Sequence, residues 1–230
     1  EFSPDGQFER GALYRGVIRS KARTTYEEVR EALETGKVQE GRYPEFLEDL
    51  RAMRELADRL KAIRQERGSL DFEFPETKVE LDADGRPIEI KRYPISFANE
   101  LIESFMIAAN EFVARELHFQ HLPAVYRVHE LPDPEKLARF TRLAKSLGIR
   151  LTIRGTPRSS DLAKALDQIR KEPAAQTLSH LLLRSLAKAR YAPENLGHFG
   201  LASEHYCHFT SPIRRYPDLF VHRVLTGLMT

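Results

Sequence analysis

The stretch that decides the fold of this chain is YCHFTSPIRRYPD, residues 206–218. A serine at an N-cap and a proline at the first helical position favour a helix start, so Ser211 and Pro212 predict one here. The free N–H groups and the positive dipole end of a helix start attract anions. Arg214 adds a planar guanidinium that matches the oxygens of a phosphate group. The stretch therefore predicts a phosphate site, with a solvated surface arginine as the alternative.

Pro217 leaves two structures open for this stretch. A proline inside a helix removes the hydrogen bond to the carbonyl four residues back. The segment is therefore either a helix from Ser211 or a short turn followed by a helix from Pro217, and in both Arg214 lies near a helix N-terminus. The surroundings favour a lined groove over an open surface, because aromatic residues and histidines interleave there: Phe199, Tyr206, Phe209, Tyr216, Phe220, His198, His208 and His222.

The composition, with 41% hydrophobic and 30% charged residues among 230, is typical of a soluble globular protein. The net charge of +2 does not by itself indicate a nucleic-acid partner. Basic residues cluster at 10–23, so Arg19 and Lys21 belong either to a phosphate track or to a solvated strand face. The single cysteine, Cys207, excludes an intrachain disulfide and predicts a cytoplasmic protein. No apolar run approaches the roughly 18 residues of a membrane span, so no membrane contact is expected.

Hydrophobic periodicity and capping residues predict an α+β fold with several packed helices. Helices are expected at 26–36, 43–66, 96–118, 134–148, 160–171 and 174–189. Strands are expected at 7–23, 70–74, 78–81, 88–93 and 125–129. Asp84 and Gly85 predict a hairpin turn between the third and fourth of these strands. Because no linker is rich in Gly, Pro or Ser, the chain is interpreted as one α+β unit.

The helix from Ser96 is expected to carry a functional acid. Its helical spacing places Glu103, Ile107 and Asn110 on one half-apolar face. A carboxylate on such a face is expected to be partly buried and to need a hydrogen-bond donor or a sugar hydroxyl. The alternative is an ordinary helix acid at the domain edge.

No metal site is predicted within the chain. His205, Cys207 and His208 are too crowded for the usual spacing of zinc ligands, and no second pair of ligands accompanies them.

Several stretches together resemble the ribonuclease II and ribonuclease R family, which shares the RNB catalytic domain. These stretches are VIRSKARTTY (17–26), LDFEF (70–74), LIESFMIAAN (101–110), YRVHELP (126–132), NLGHFGLA (195–202) and residues 206–218. The similarity covers nearly the whole chain. It implies an RNB-type fold with mixed or antiparallel strands and several packed helices. It also implies a 3′→5′ exoribonuclease that hydrolyses single-stranded RNA to nucleoside 5′-monophosphates with Mg²⁺.

The resemblance implies three catalytic residues. The arginine that clamps the scissile phosphate corresponds to Arg214. The glutamate that holds the ribose of the 3′-terminal nucleotide corresponds to Glu103, and the tyrosine that positions that nucleotide corresponds to Tyr26.

The resemblance also implies residues that bind RNA. The aromatic residue that closes a stack of bases corresponds to Phe74. Ser211 and Arg215 would support the phosphate path, and Arg19 and Lys21 would extend it along the basic stretch.

One motif of the family is absent from this sequence, namely the Mg²⁺-binding cluster Asp-x5-Asp-x-Asp-Asp. Asp82 and Asp84 fit a hairpin turn instead. We therefore expect residues 1–230 to be the central to C-terminal portion of one RNB-type domain, with the aspartates and any accessory RNA-binding modules outside this chain. The alternative is a catalytically inactive homologue that binds RNA or serves as an assembly subunit. The oligomeric state stays open.

Overall fold

The structure is a computed structural model that describes residues 1–36, 46–72, 77–92, 96–151, 153 and 155–228. Seven α-helices lie in that part of the chain: α1 (Tyr26–Thr35), α2 (Leu47–Arg67), α3 (Phe97–Phe119), α4 (Pro134–Ser146), α5 (Ser159–Ile169), α6 (Ala175–Ser185) and α7 (Tyr216–Leu228). The strands there are β1 (Thr77–Leu81), β2 (Pro87–Arg92), β3 (Tyr126–Val128) and β4 (Arg190–Ala192), and a 3₁₀ turn covers Phe199–Leu201. The strands form two antiparallel pairs, β1–β2 and β3–β4. The predicted α+β class is confirmed.

Two helices begin at the caps that the sequence predicts. The Thr25 side chain accepts from the N–H of Glu28 at 3.2 Å, and the Glu28 carboxylate accepts from the N–H of Thr25 at 2.7 Å. The Asp133 carboxylate accepts from the N–H groups of Glu135 and Lys136 at 2.9 and 3.2 Å at the start of α4. Each cap stabilises its helix by about 1 kcal/mol.

Contacts divide the chain into two compact units. The larger unit comprises residues 1–18, 59–72 and 105–230. Its first core joins the second half of α3 to β3, β4 and α7. Leu117, Val128 and Val221 are fully buried in it. Its second core lies among α4, α5 and α6.

A third extended segment borders β3 in the larger unit. Tyr126 bridges Cys207, and the N–H of Arg127 donates to the carbonyl of Tyr206 at 2.9 Å. Side chains alternate across extended backbone, so Tyr126 and Cys207 face the first core. Arg127, Tyr206 and His208 face the other side.

The smaller unit comprises residues 19–58 and 73–104. In it, Val79 of β1 pairs with Ile90 of β2, and the Asp82 carboxylate accepts from the N–H groups of Asp84 and Arg86 at 2.9 and 2.8 Å. The predicted hairpin is thus confirmed.

Two of the predicted strands are wrong. Residues 9–25 have no regular structure. Pairing stops at the start of the segment, where Phe8 bridges Phe2 and Glu9 and Arg10 hydrogen-bond to the backbone of Glu1. None of the other described residues forms a ladder with the segment, and a strand exists only through its partner's hydrogen bonds. Residues 70–72 are also unpaired as a strand, although the N–H of Leu70 donates to the carbonyl of Gly200 at 2.7 Å. The rest of that predicted strand, including Phe74, lies outside the described residues, as does the predicted start of the second helix at Tyr43.

The last predicted helix is shorter than its apolar pattern suggests. It ends at Ser185, and β4 follows at Arg190–Ala192, where the sequence predicted no strand. Only three residues pair in β4, which is too few for a period-two pattern to be recognised.

Candidate nucleic-acid interface

The two structures left open by Pro217 are resolved in favour of the turn. The N–H groups of Arg214 and Arg215 both point to the carbonyl of Ser211, at 3.3 and 3.2 Å, and α7 begins only at Tyr216. Arg214 therefore lies in a turn directly before a helix, and the predicted helix from Ser211 is wrong.

Asp218 in the first turn of α7 fastens this turn. It is 0% exposed, and its Oδ1 atom accepts from the N–H of Ser211 at 2.8 Å and from the Arg215 guanidinium at 2.7 Å. Its Oδ2 atom and the Nε atom of Arg215 have no hydrogen-bond partner among the described residues. Removing one partner of a buried ion pair costs about 3–5 kcal/mol, because the other charge stays buried. The backbone from Ser211 to Arg215 is thus held from α7.

Arg214 itself is exposed. One guanidinium nitrogen lies 3.4 Å from the Ser211 hydroxyl, and no carboxylate of the described residues forms an ion pair with it. Arg215, in contrast, has a side chain only 19% exposed and is engaged by Asp218. The adjacent arginines thus differ in role: Arg215 holds the turn, while Arg214 presents its charge to solvent.

Asn110 of α3 fastens the segment that leads into this turn. Its Nδ2 group donates to the Tyr206 hydroxyl at 3.1 Å, and its Oδ1 atom accepts from the N–H of Phe209 at 3.0 Å. His222 of α7 stacks on the Phe209 ring at 4.4 Å between centroids. Both ends of the segment 206–209 are therefore held, at Tyr206 and at Phe209.

Two histidines, buried His129 and half-buried His198, shape the neighbouring backbone. The N–H of Gly200 donates to Nδ1 of His129 at 2.9 Å, which leaves the hydrogen on Nε2 to donate to the carbonyl of Ala187 at 2.8 Å. Nδ1 of His198 accepts from the N–H of Leu201 at 3.1 Å. Burial lowers the pKa of His129, and burial together with His129 and Arg127 lowers the pKa of His198 to about 3. Both imidazoles are neutral at pH 7, so they act as fixed acceptors.

The structure brings three of the predicted site residues together, namely Ser211, Arg214 and Arg215. The other described ones belong to the smaller unit. There, Tyr26 is the first residue of α1 with its side chain 44% exposed, and Arg19 and Lys21 are exposed in the segment without regular structure.

The expected partial burial of Glu103 is wrong, since its side chain is exposed. Ile107 and Asn110, which the helical spacing places on the same face, are buried at 6% and 2% exposure. The buried positions of α3 recur every three residues from Ala98 to Asn110, and a spacing of three turns the buried side by about 60° at each step. At the turn of α3 that contains Glu103, the buried side is formed by Leu101 and Ser104, so Glu103 is exposed.

The anchoring residues Asp218 and Asn110 were not assigned these roles from the sequence. The i, i+3 spacing of Arg215 and Asp218 is a local pattern that could have indicated the ion pair. Asn110 reaches partners 96 and 99 positions away, which no local pattern predicts.

The described residues contain no group of three or more His, Cys, Asp or Glu side chains that could hold a metal ion. Cys207 is buried, which raises the pKa of its thiol to about 12, and His205 contacts the Asn195 amide. Across the described helices, none is long and apolar enough to cross a membrane.

Comparison with known proteins assigns the family. The RNB domain family matches residues 1–230, and the chain belongs to this family. Ribonuclease R of Aquifex aeolicus is 42% identical over 224 residues, which cover 97% of this chain and 32% of that protein.

Solved structures agree with this assignment. RNase R of Mycoplasma genitalium, in complex with ribose methylated single-stranded RNA, superimposes with a TM-score of 0.92 at 35% identity, over 97% of this chain and 35% of that one. The complex of the same enzyme with double-stranded RNA also gives a TM-score of 0.92 at 35% identity, over 98% of this chain and 40% of that one. The predicted RNB-type fold is confirmed, and the chain spans about a third of the length of these relatives.

Proposed function

We propose that this chain holds RNA in a 3′→5′ exoribonuclease that hydrolyses single-stranded RNA to nucleoside 5′-monophosphates. The observation that carries the proposal is the exposed Arg214 guanidinium on a turn fastened by buried Asp218. A fixed cation of this kind stabilises the charge that builds on a phosphate as it is attacked, without reorganisation at the moment of reaction. Membership of the RNB family and the RNA complexes of a relative support the same assignment.

The proposed reaction depends on Mg²⁺. The described residues do not fit a site for this ion, since they contain no cluster of carboxylates. We therefore propose that the Mg²⁺-binding aspartates lie outside residues 1–230, and we assign no step of the reaction to residues of this chain acting on the metal. This chain would be the central to C-terminal portion of one RNB-type domain in a cytoplasmic protein.

The remaining predicted residues have complementary proposed roles. The exposed carboxylate of Glu103 accepts hydroxyls of the terminal ribose, which favours RNA over DNA through the 2′-OH. Tyr26 and Phe74 bind bases by stacking, which is tolerant of sequence and worth about 1–3 kcal/mol per base. Arg19 and Lys21 contribute positive charge along the strand's path.

A second candidate is a catalytically inactive homologue that binds RNA or serves as an assembly subunit. The absence of the Asp-x5-Asp-x-Asp-Asp pattern from the sequence favours it. The two candidates differ in one measurable property, which is Mg²⁺-dependent release of mononucleotides by the whole protein.

The test is Arg214→Lys in the whole protein that contains this chain. Lysine keeps the charge but loses the planar fork, so turnover on 3′-ended single-stranded RNA should fall on the order of 10²–10³-fold, as when one transition-state donor is lost. RNA affinity should change far less. Arg142→Lys, at an exposed arginine of α4, is the matched control and should keep wild-type turnover. Wild-type turnover in Arg214→Lys would contradict the role of Arg214, and a wild-type protein without nuclease activity would favour the inactive homologue.

A further inference from the structure

Arg127 forms no ion pair with any of the described residues. It lies at the centre of β3, half-buried, and its guanidinium sits 4.9 Å from the ring centroid of its cross-strand partner Tyr191. No carboxylate of the described residues forms an ion pair with it, whereas its neighbour on β4, Arg190, pairs with Glu130 at 2.9 Å. A partly desolvated charge costs free energy unless a counter-charge compensates it.

The side chains next to Arg127 form a continuous aromatic and cationic surface. The Tyr191 hydroxyl lies 2.8 Å from Nδ1 of His208, and the His208 ring contacts that of Tyr206 with centroids 5.8 Å apart. We call Arg127, Tyr191 and His208 the β3 face. Three residues beyond His208 the chain enters the turn that carries Arg214.

Arg127 supplies the charge of the β3 face, because Tyr191 and His208 are neutral at pH 7. Burial lowers the pKa of His208 to about 4, with further lowering by Arg215, Arg127 and Arg214. The acid that opposes them is Asp218, and its carboxylate is already engaged by Arg215. Positive charge that no carboxylate of the described residues neutralises attracts anions.

We propose that Arg127 binds a phosphodiester group of single-stranded RNA, at a site on the β3 face next to the phosphate held by Arg214. This proposal rests on the proposed function and adds a second phosphate contact to it. The exposed Tyr191 ring, 39% accessible, offers an adjoining surface on which a base can stack. An aromatic ring beside an unpaired arginine suits a nucleotide better than an acidic peptide, which has no base to stack.

The test is the affinity of the 230-residue chain for a fluorescein-labelled oligouridylate, measured by anisotropy in EDTA so that no cleavage occurs. Arg127→Gln should weaken Kd on the order of 10-fold and reduce the slope of log K against log salt by about 0.7, the value for one phosphate contact on a single strand. Arg190→Gln on the adjacent strand is the matched control, because its charge is already paired, and it should change Kd less than twofold. Equal Kd values for Arg127→Gln and the wild type would overturn the role of Arg127. The proposed function would still stand in that case, because the wild-type chain binds RNA. A wild-type chain without RNA affinity would contradict both.

A second measurement on the wild type does not depend on how the variant folds. An anion bound beside His208 favours the imidazolium, so saturation with the oligouridylate should raise the pKa of His208 in an NMR titration. An unchanged pKa at saturation would overturn the proposed site. An acidic peptide of equal charge serves as competitor, and equal displacement of the RNA by that peptide would overturn the assignment to RNA.

Discussion

At the scale of the residue, Glu103 is the side chain through which we expect the protein to distinguish sugars. Because its carboxylate is exposed, loss of one charged hydrogen bond to a hydroxyl is expected to cost about 1.5–3 kcal/mol. Glu103→Ala in the whole protein should therefore lower the preference for an all-RNA strand over one with 2′-deoxy sugars at its last two positions by on the order of 10-fold. The measurement is the ratio of the two cleavage rates.

Glu116→Ala is the control for this prediction, since Glu116 lies on the same helix and binds Gln120. It should leave the ratio unchanged. An unchanged ratio in Glu103→Ala would leave Glu103 as a structural acid of α3.

What the sequence predicts at this scale depends on how local the interaction is. The caps at Thr25 and Asp133 were predicted because donor and acceptor lie within three residues of each other. The anchoring role of Asn110 could not be predicted, since its partners come from a segment almost a hundred residues away. The exposure of Glu103 was missed for a related reason. Which side of a helix is buried at a given turn depends on the elements that pack against that turn.

At the scale of the element, the 3₁₀ turn at Phe199–Leu201 depends on two neutral histidines. His129 and His198 accept backbone hydrogen bonds through Nδ1, and protonation would remove both acceptors. Their pKa values are lowered in the folded protein, so the stabilisation is fully present above the unfolded pKa of about 6.5 and is lost as the pH falls towards the folded values.

The free energy of unfolding should therefore decrease below pH 6.5, by at most about 1.4 kcal/mol per pH unit for each histidine. His198→Asn keeps an acceptor near the position of Nδ1 but has no titrating group. It should therefore remove the contribution of one histidine, at most about 1.4 kcal/mol per pH unit, from that slope. Arg127, His208 and Tyr206 also face this site, and their contributions are common to both proteins. Denaturant unfolding between pH 4.5 and 7.5 measures the slope, and equal slopes for the two proteins would contradict the role of His198.

Helices and strands were predicted correctly where capping or turn residues in the sequence mark their ends. They were missed where the element depends on pairing with a distant segment. The hairpin at Asp84 and Gly85 and the helix after Asp133 have local start and stop residues. The predicted strand at 7–23 alternates correctly, but among the described residues it pairs only at its start, where Phe8 bridges Phe2. The turn before α7 was one of two open structures, and the hydrogen bonds of Asp218 account for the one that forms.

At the scale of the whole molecule, the chain combines the residues that we propose to hold RNA with a sequence that lacks the aspartate cluster Asp-x5-Asp-x-Asp-Asp. It spans about a third of the length of its relatives, so binding and hydrolysis can be separated experimentally. We expect residues 1–230 alone to bind single-stranded RNA weakly, with affinity that falls as salt rises. Because the described residues contain no carboxylate cluster for Mg²⁺, this chain should release no mononucleotides at any Mg²⁺ concentration.

The measurement is an assay of the purified 230-residue chain on labelled RNA with a free 3′ end, with and without Mg²⁺. The chain carrying Arg214→Lys is the control for contamination, because a copurifying nuclease would be unaffected by that substitution. Mg²⁺-dependent release of mononucleotides that follows the chain through purification and falls in Arg214→Lys would mean that the metal ligands lie within residues 1–230. The division of labour proposed here, with phosphate held by this chain and metal held outside it, would then be wrong.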